Sequence, residues 1–410
     1  MTIFRIGIWV AAAVLAVFIG LSSYVVANQL KAPQRAYALG IRPAADAGGN
    51  FAYALFYGRQ AKSRKATVTP AELELASQAY RAAPLALSAL AVIAETKRGA
   101  GDTALRADLL QAAGKLSRRS NAITAQLVEL AALQQDEQAF FVWLSRAALT
   151  DNNQRDVYVR AMALGTARPG ALEALTPILG RNPAWADFYW LNVAAMPDSL
   201  VNAAQMRIAI ARRPWGRSAV VDNDRRLLRA LVRHGEFATA KNLVTQLAPA
   251  AARGDRRNLL SNGEFSRQPL LPPFDWELAA SGDLGSTIVE KEAALLVSAI
   301  GGARGMAARQ LVELSGGAYD VNWTLGDDGA GNQSTLAVRL ACAEPGRADA
   351  VRFVIPSGKG SQRVSLPAGG CTWYWFTITA ELADNAPGID VYLRDIALTR
   401  AGSTAAVAGR

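Results

Sequence analysis

A single histidine, His234, and two cysteines, Cys342 and Cys371, occur in the 410 residues of this chain. One histidine cannot build a His-rich catalytic metal centre, and without Cys-x-x-Cys there is neither a zinc ribbon nor a dithiol redox motif. No Gly-x-Ser-x-Gly is present to form a nucleophile elbow. Ser357-Gly358-Lys359-Gly360-Ser361 has the residue types of a phosphate loop but lacks its glycine-x4 spacing and its strand-to-helix setting, and reads as a hairpin turn. Paired carboxylates can hydrolyse glycosides without histidine, yet no pair is placed by the sequence across a cleft. These absences point to a non-enzymatic protein, with a divergent polysaccharide-active enzyme as the weaker alternative.

What is present begins with an uncharged run from Ile6 to Ala27, long enough for a hydrocarbon core that needs about 20 apolar residues. It reads either as a signal anchor or as a signal peptide cut after Val25-Val26-Ala27, where small residues suit a peptidase. Lys31, Arg35 and Arg42 outnumber Arg5, which by the positive-inside rule would hold the body in the cytoplasm. Large domains, however, translocate largely regardless of charge. Both cysteines fall in the C-terminal part of the chain, as an oxidised pair would. The expectation is a single-pass inner-membrane protein with its body facing the periplasm and Cys342 bonded to Cys371.

The net charge is +10, but the arginines are scattered in pairs such as Arg212-Arg213, Arg225-Arg226 and Arg256-Arg257, without interleaved aromatics. That is the pattern of a solvated face, with anionic polymer or lipid headgroups as the alternative, and it does not call for nucleic acid.

Residues 1–30 form this leader and 31–68 are expected as a linker. From Thr69 the pattern is helical: Thr69-Pro70-Ala71-Glu72 has the N-cap, first-turn proline and closing glutamate of a capping box. Helices are expected over Leu87–Arg98, Leu105–Leu116, Ile123–Gln134 and Ala139–Leu149, with corresponding residues roughly 35–37 apart, near the period of helix-turn-helix repeats. Asp156–Met196 is broken by prolines and irregular. Trp185, Tyr189 and Trp190 lie at near-helical spacing and are expected in the core. The run Leu227–Leu247, with Gly235 at the turn, Glu236-Phe237, Ala240 and the closing Pro249, resembles a tetratricopeptide repeat. The resemblance implies a helical solenoid over 69–250 whose groove holds a protein partner in the cell envelope.

After Ala250–Arg257 short alternating runs separated by glycine-rich turns predict about nine strands and a two-sheet sandwich over 256–402, with 403–410 as a disordered tail. Period two in Thr372–Thr379 sets Tyr374, Phe376 and Ile378 on one face and Trp373, Trp375, Thr377 and Thr379 on the other. The first face suits a core. The second then presents two indoles that could stack on sugar rings, or else pack under a loop or against the helices.

Three stretches carry a further likeness: Asn258-Leu259-Leu260-Ser261-Asn262-Gly263-Glu264-Phe265 followed by Trp276, then Arg309 to Tyr319, then Val391–Leu398 with Asp395. Together they resemble the carbohydrate-binding-module jelly roll of the galactose-binding-like group. The resemblance implies saccharide binding, here through Trp373, Trp375 and Thr377, and a structural calcium held by Glu264 and Asp395. No other cofactor is implied. The acidic loop Asp327-Asp328-Gly329-Ala330-Gly331-Asn332 fits no EF-hand and reads as a hairpin turn. The fold class expected is thus an N-terminal membrane segment, an all-α repeat region and an all-β jelly roll. The function expected is that of an envelope scaffold in polysaccharide assembly or export, with a purely structural interaction module as the alternative.

Overall fold

The computed structural model describes residues 2–41, 45–63, 65–98, 102–213, 220–249, 257–326, 334–347 and 349–402. The acidic loop at 327–332 and the tail at 403–410 lie outside the described residues. Two compact units divide at Tyr189/Trp190, so the expected boundary near residue 250 is not where the contacts separate: the last helices cluster with the sandwich.

The first unit opens with α1 (Thr2–Asn28), of which Ile6–Asn28 is apolar enough to cross a membrane, with a mean hydropathy of 2.3. Its 23 residues span about 35 Å at 1.5 Å per residue. The segment expected as a linker is instead helical: α2 (Pro33–Ala38) and α3 (Ala45–Lys62) follow directly. Small residues are the reason. Gly49 lets α3 approach so closely that an added Cβ would lie 3.1 Å from the backbone nitrogen of Ala89. Gly48 and Gly49 therefore act here as packing residues rather than as helix breakers. Val25 of α1, Ala36 of α2 and Ala47 of α3 are fully buried together.

Beyond them stand α4 (Pro70–Ala82), α5 (Leu87–Glu95), α6 (Thr103–Leu116), α7 (Asn121–Leu133), α8 (Glu137–Thr150), α9 (Arg155–Gly165) and α10 (Ala171–Leu179), and the division between the units falls within α11 (Ala186–Val193). The capping box of α4 forms as the sequence indicates: Glu72 N–H donates to Thr69 Oγ1 at 3.3 Å and Thr69 N–H to Glu72 Oε2 at 2.9 Å. The proline-broken stretch is helical after all, with Pro177 accommodated near the end of α10. Trp185 and Tyr189 are core residues. Burial raises the Tyr189 phenol well above its ordinary pKa, with the bond to Thr166 opposing the shift.

In the second unit α12 (Leu200–Ala211), α13 (Asp222–Arg233) and α14 (Phe237–Leu247) precede the β-strands. α13 and α14 form a helical hairpin turning at Gly235, with φ of 80°. Arg207 Nε donates to Asp224 Oδ1 at 2.6 Å and Nη2 to Oδ2 at 3.0 Å, both side chains 4% exposed, while Asp224 also accepts the Val221 N–H.

The strands are β1 (Glu277–Leu278), β2 (Leu284–Val289), β3 (Ala294–Ala299), β4 (Arg304–Glu313), β5 (Gly317–Leu325), β6 (Ser334–Cys342), β7 (Asp349–Ile355), β8 (Gly358–Leu366), β9 (Trp373–Leu382) and β10 (Ile389–Arg400). They make two antiparallel five-stranded sheets, ordered β1-β4-β9-β6-β7 and β2-β3-β10-β5-β8. The core is filled by alternate residues of both sheets, including Val338, Phe376, Ile378, Val321, Leu393 and Leu398. The Cys342 and Cys371 sulfurs are bonded, with their Cα atoms 5.9 Å apart, within the range a disulfide spans.

Removing one partner of a buried ion pair strands the other. Asp224→Ala is therefore expected to cost about 3–5 kcal/mol in urea unfolding of the detergent-solubilised chain. Arg207→Met with Asp224→Leu should recover most of that loss; no difference between the two variants would contradict this role.

Candidate functional site

Strand β9 alternates as expected: Tyr374, Phe376 and Ile378 enter the core, while Trp375, Thr377 and Thr379 are half-buried on the outer face of the first sheet. The two tryptophans have different fates. Trp373 is 8% exposed, its indole lying 5.7 Å from the Phe237 ring of α14 and 5.9 Å from the Phe274 ring, which it meets at 90°. It is thus not part of an open platform, because a helix and the 270–274 loop cover that end of the sheet. Leu311, on the same outer face, is buried for the same reason, and its N–H donates to Pro273 O at 2.7 Å.

Further along the sheet the face reaches solvent, with Arg339 and Arg352 exposed and Arg309 and Thr377 half-buried. Cross-strand register sets Glu277, Arg309, Thr377, Arg339 and Arg352 in one row across β1, β4, β9, β6 and β7. The guanidinium of Arg309 lies 4.3 Å from the Trp375 ring centre, and Arg309 Nε donates to Glu277 Oε2 at 2.7 Å. Arg352 pairs with Glu381 at 3.1 Å. The result is a ledge of hydrogen-bonding groups with one indole seated in it under a fixed guanidinium. Such a planar fork can donate two parallel bonds to vicinal oxygens. Sequence reasoning found Trp375 and Thr377 through period two. It missed Glu277, Arg309, Arg339 and Arg352 as site residues because only strand register makes them neighbours.

The proposed calcium ligands occupy a different place. Glu264 is exposed and accepts from Ser266 Oγ at 3.2 Å. Asp395 sits at a bulge of β10 with φ of 47°, a conformation that Asp tolerates better than most residues. The two residues flank one backbone bond, Ile396 N–H to Gly263 O at 3.0 Å. A Cβ at residue 263 would meet Ile396 O at 2.2 Å, so glycine is required for the approach. Calcium takes six to eight oxygens. Here Gly263 O already accepts the Ile396 N–H and Ile396 O accepts Asn258 Nδ2. Among the described residues no third acidic side chain gathers with these two carboxylates. Among the described residues the one cluster of three such side chains is Cys342, Glu344 and Cys371, whose sulfurs are already bonded to each other in the disulfide.

Other residues of the three motifs act as staples. Asn258 Oδ1 accepts the N–H groups of Leu260 and Leu398, each at 3.0 Å. Gln310 exchanges two bonds with the Ser261 backbone, at 2.7 and 3.0 Å. The Trp276 indole N–H donates to Asn262 O at 2.9 Å, and Tyr319 closes its turn through Ser315 O at 2.7 Å. The opening segment, β4 and β10 are thereby tied together.

No family model matches the chain, and no curated protein matches it. Among solved structures the sandwich is similar to a CBM4 structure, at 12% identity and a TM-score of 0.27 over 34% of this chain and 99% of that one. It is also similar to TmCBM61 in complex with β-1,4-galactotriose, at 15% identity and a TM-score of 0.26 over 35% and 99%. A third is the tailspike protein 4 enzymatically active domain of bacteriophage CBA120, at 10% identity and a TM-score of 0.25 over 35% of this chain and 21% of that one. Likenesses this distant say nothing of what the present chain binds.

Truncating the covered indole and the half-buried one should have different effects. Trp373→Ala is expected to destabilise by about 3–5 kcal/mol, whereas Trp375→Ala is expected to cost about 1 kcal/mol or less in the same denaturant titration. Equal losses would show that both indoles are structural.

Proposed function

We propose that this protein is a non-catalytic, membrane-anchored binding protein whose sandwich takes a saccharide on the outer face of its first sheet. The observation that carries this reading is the row Glu277, Arg309, Thr377, Arg339 and Arg352 beside Trp375. It sets several hydrogen-bonding groups in one row around a guanidinium held on an indole, which is the kind of polar array that orients a hydroxyl-rich ligand. The helical region would hold a protein partner, in the manner of tetratricopeptide arrays. The body would face the periplasm, and the assembly would serve polysaccharide construction or export.

α1 in this reading is a retained anchor. Cleavage after Ala27 would strip Val25 from its buried contact with Ala36 and Ala47, and residues 25–32 continue in helical bonds, Gln29 N–H to Val25 O and Ala32 N–H to Asn28 O, both 2.8 Å. Intact mass of the chain from membranes is expected to include α1. A chain beginning at Asn28 would contradict the anchor.

A second reading, that the sandwich is a docking module with no saccharide, is favoured by the burial of Trp373 under Phe237 and Phe274. Affinity electrophoresis of the full chain through gels containing envelope polysaccharides separates the two. Retardation should be abolished by Arg309→Met and reduced at least tenfold by Trp375→Ala, with unfolding midpoints close to the parent. Absence of retardation with any polysaccharide would leave the docking reading, and turnover of any polysaccharide would overturn the non-catalytic one.

A further inference from the structure

The region around the membrane helix carries an unusual charge balance. The first 71 residues contain one acid, Asp46, against eight bases: Arg5, Lys31, Arg35, Arg42, Arg59, Lys62, Arg64 and Lys65. Lys31 and Arg35 are exposed, and neither side chain pairs with a carboxylate among the described residues. Exposed apolar groups stand beside them: Leu30 is 79% exposed, and Tyr37 and Leu39 are each more than a third exposed. Water is a poor solvent for that combination. A bilayer interface suits it, because apolar side chains enter the acyl boundary while Lys and Arg reach the phosphates.

Packing fixes the depth. Ala36 of α2 is buried against Val25, which precedes the end of the apolar span at Asn28. α2 therefore lies alongside the last turn of α1 and not beyond it. With a hydrocarbon core of about 30 Å inside a bilayer of about 40–45 Å, that level is the headgroup layer. Tyr24, 43% exposed on the same end of α1, and Trp9, 76% exposed near the other end, are placed as aromatic belts would be.

We propose that residues 30–39 are a seat for anionic phospholipid headgroups, with Lys31 and Arg35 on the phosphates and Leu30, Tyr37 and Leu39 in the acyl boundary. The first unit would then be pressed against the membrane that α1 crosses instead of hanging from it on a tether. The seat rests on the reading of α1 as a membrane span. It is independent of the side on which the body lies, since it needs only anionic lipid in the adjoining leaflet.

The test uses the full chain with Leu30→Cys, Leu39→Cys or, as reference, Val14→Cys, spin-labelled in nanodiscs. The native cysteines are bonded to each other and do not take label. Depth from power saturation should place 14 in the hydrocarbon, and 30 and 39 at the boundary between headgroups and acyl chains when phosphatidylglycerol is present. Lys31→Glu with Arg35→Glu, or pure phosphatidylcholine, should move 39 into water while 14 stays deep. Position 39 in bulk water in every lipid, with 14 deep, would overturn the seat alone. Equal depth of 39 in both lipids and both charge states would overturn the role of the cations. Position 14 in water would remove the membrane span and the seat with it.

Discussion

Trp373 is the residue on which the second unit turns. Its indole occupies the space between Phe237 and Phe274 on the outer face of a sheet whose inner face is already filled by Tyr374, Phe376 and Ile378. Aromatic pairs of this kind add about 0.5–1.5 kcal/mol each beyond their area burial. The clasp joins α14 to the sandwich, and Arg225, donating to Leu270 O at 3.0 Å, ties α13 to the same loop. One consequence is a divided sheet face: the clasped end is structural, while the end carrying Arg309, Thr377, Arg339 and Arg352 is left to solvent.

The second sheet and the opening segment serve that arrangement. Asn258 and Gln310 pin residues 258–261 to β10 and β4, and Arg267 meets the buried carboxylate of Asp275 at 2.5 Å. Asp275 in turn accepts the Leu270 N–H at 2.9 Å. The loop that carries Phe274 is thus fixed from both sides before it touches Trp373. The stacked Arg309 is likewise fixed, by Glu277 and by the Trp375 ring. A guanidinium already held in place loses less freedom on binding.

Much of the sandwich was legible in the sequence because its strands alternate strictly and its turns are glycine-rich; every expected strand has an observed counterpart, and only the two-residue β1 was not foreseen. The capping box of α4 was legible too, since it is wholly local. Residues 31–68 were misread because Gly48-Gly49 and Pro33 are breakers in isolation, and only the partner helix shows that the glycines serve close packing. Trp373 and Trp375 are indistinguishable by period two; what separates them is α14, whose last residue lies well over a hundred positions earlier in the chain. Glu264 and Asp395 were matched as a pair, and they flank one backbone contact between the opening segment and β10, which no local pattern shows.

The surface that a saccharide occupies is read most directly from the side chains it protects. Hydroxyl-radical footprinting of the full chain, read by mass spectrometry with and without a polysaccharide that the protein retains, reports each side chain separately. Protection concentrated on Trp375 and its neighbours on β4, β6 and β9, with Trp373 unreactive in both conditions, is the result predicted. Protection elsewhere, with Trp375 equally reactive in both conditions, would contradict the assignment of the outer sheet face as the binding surface.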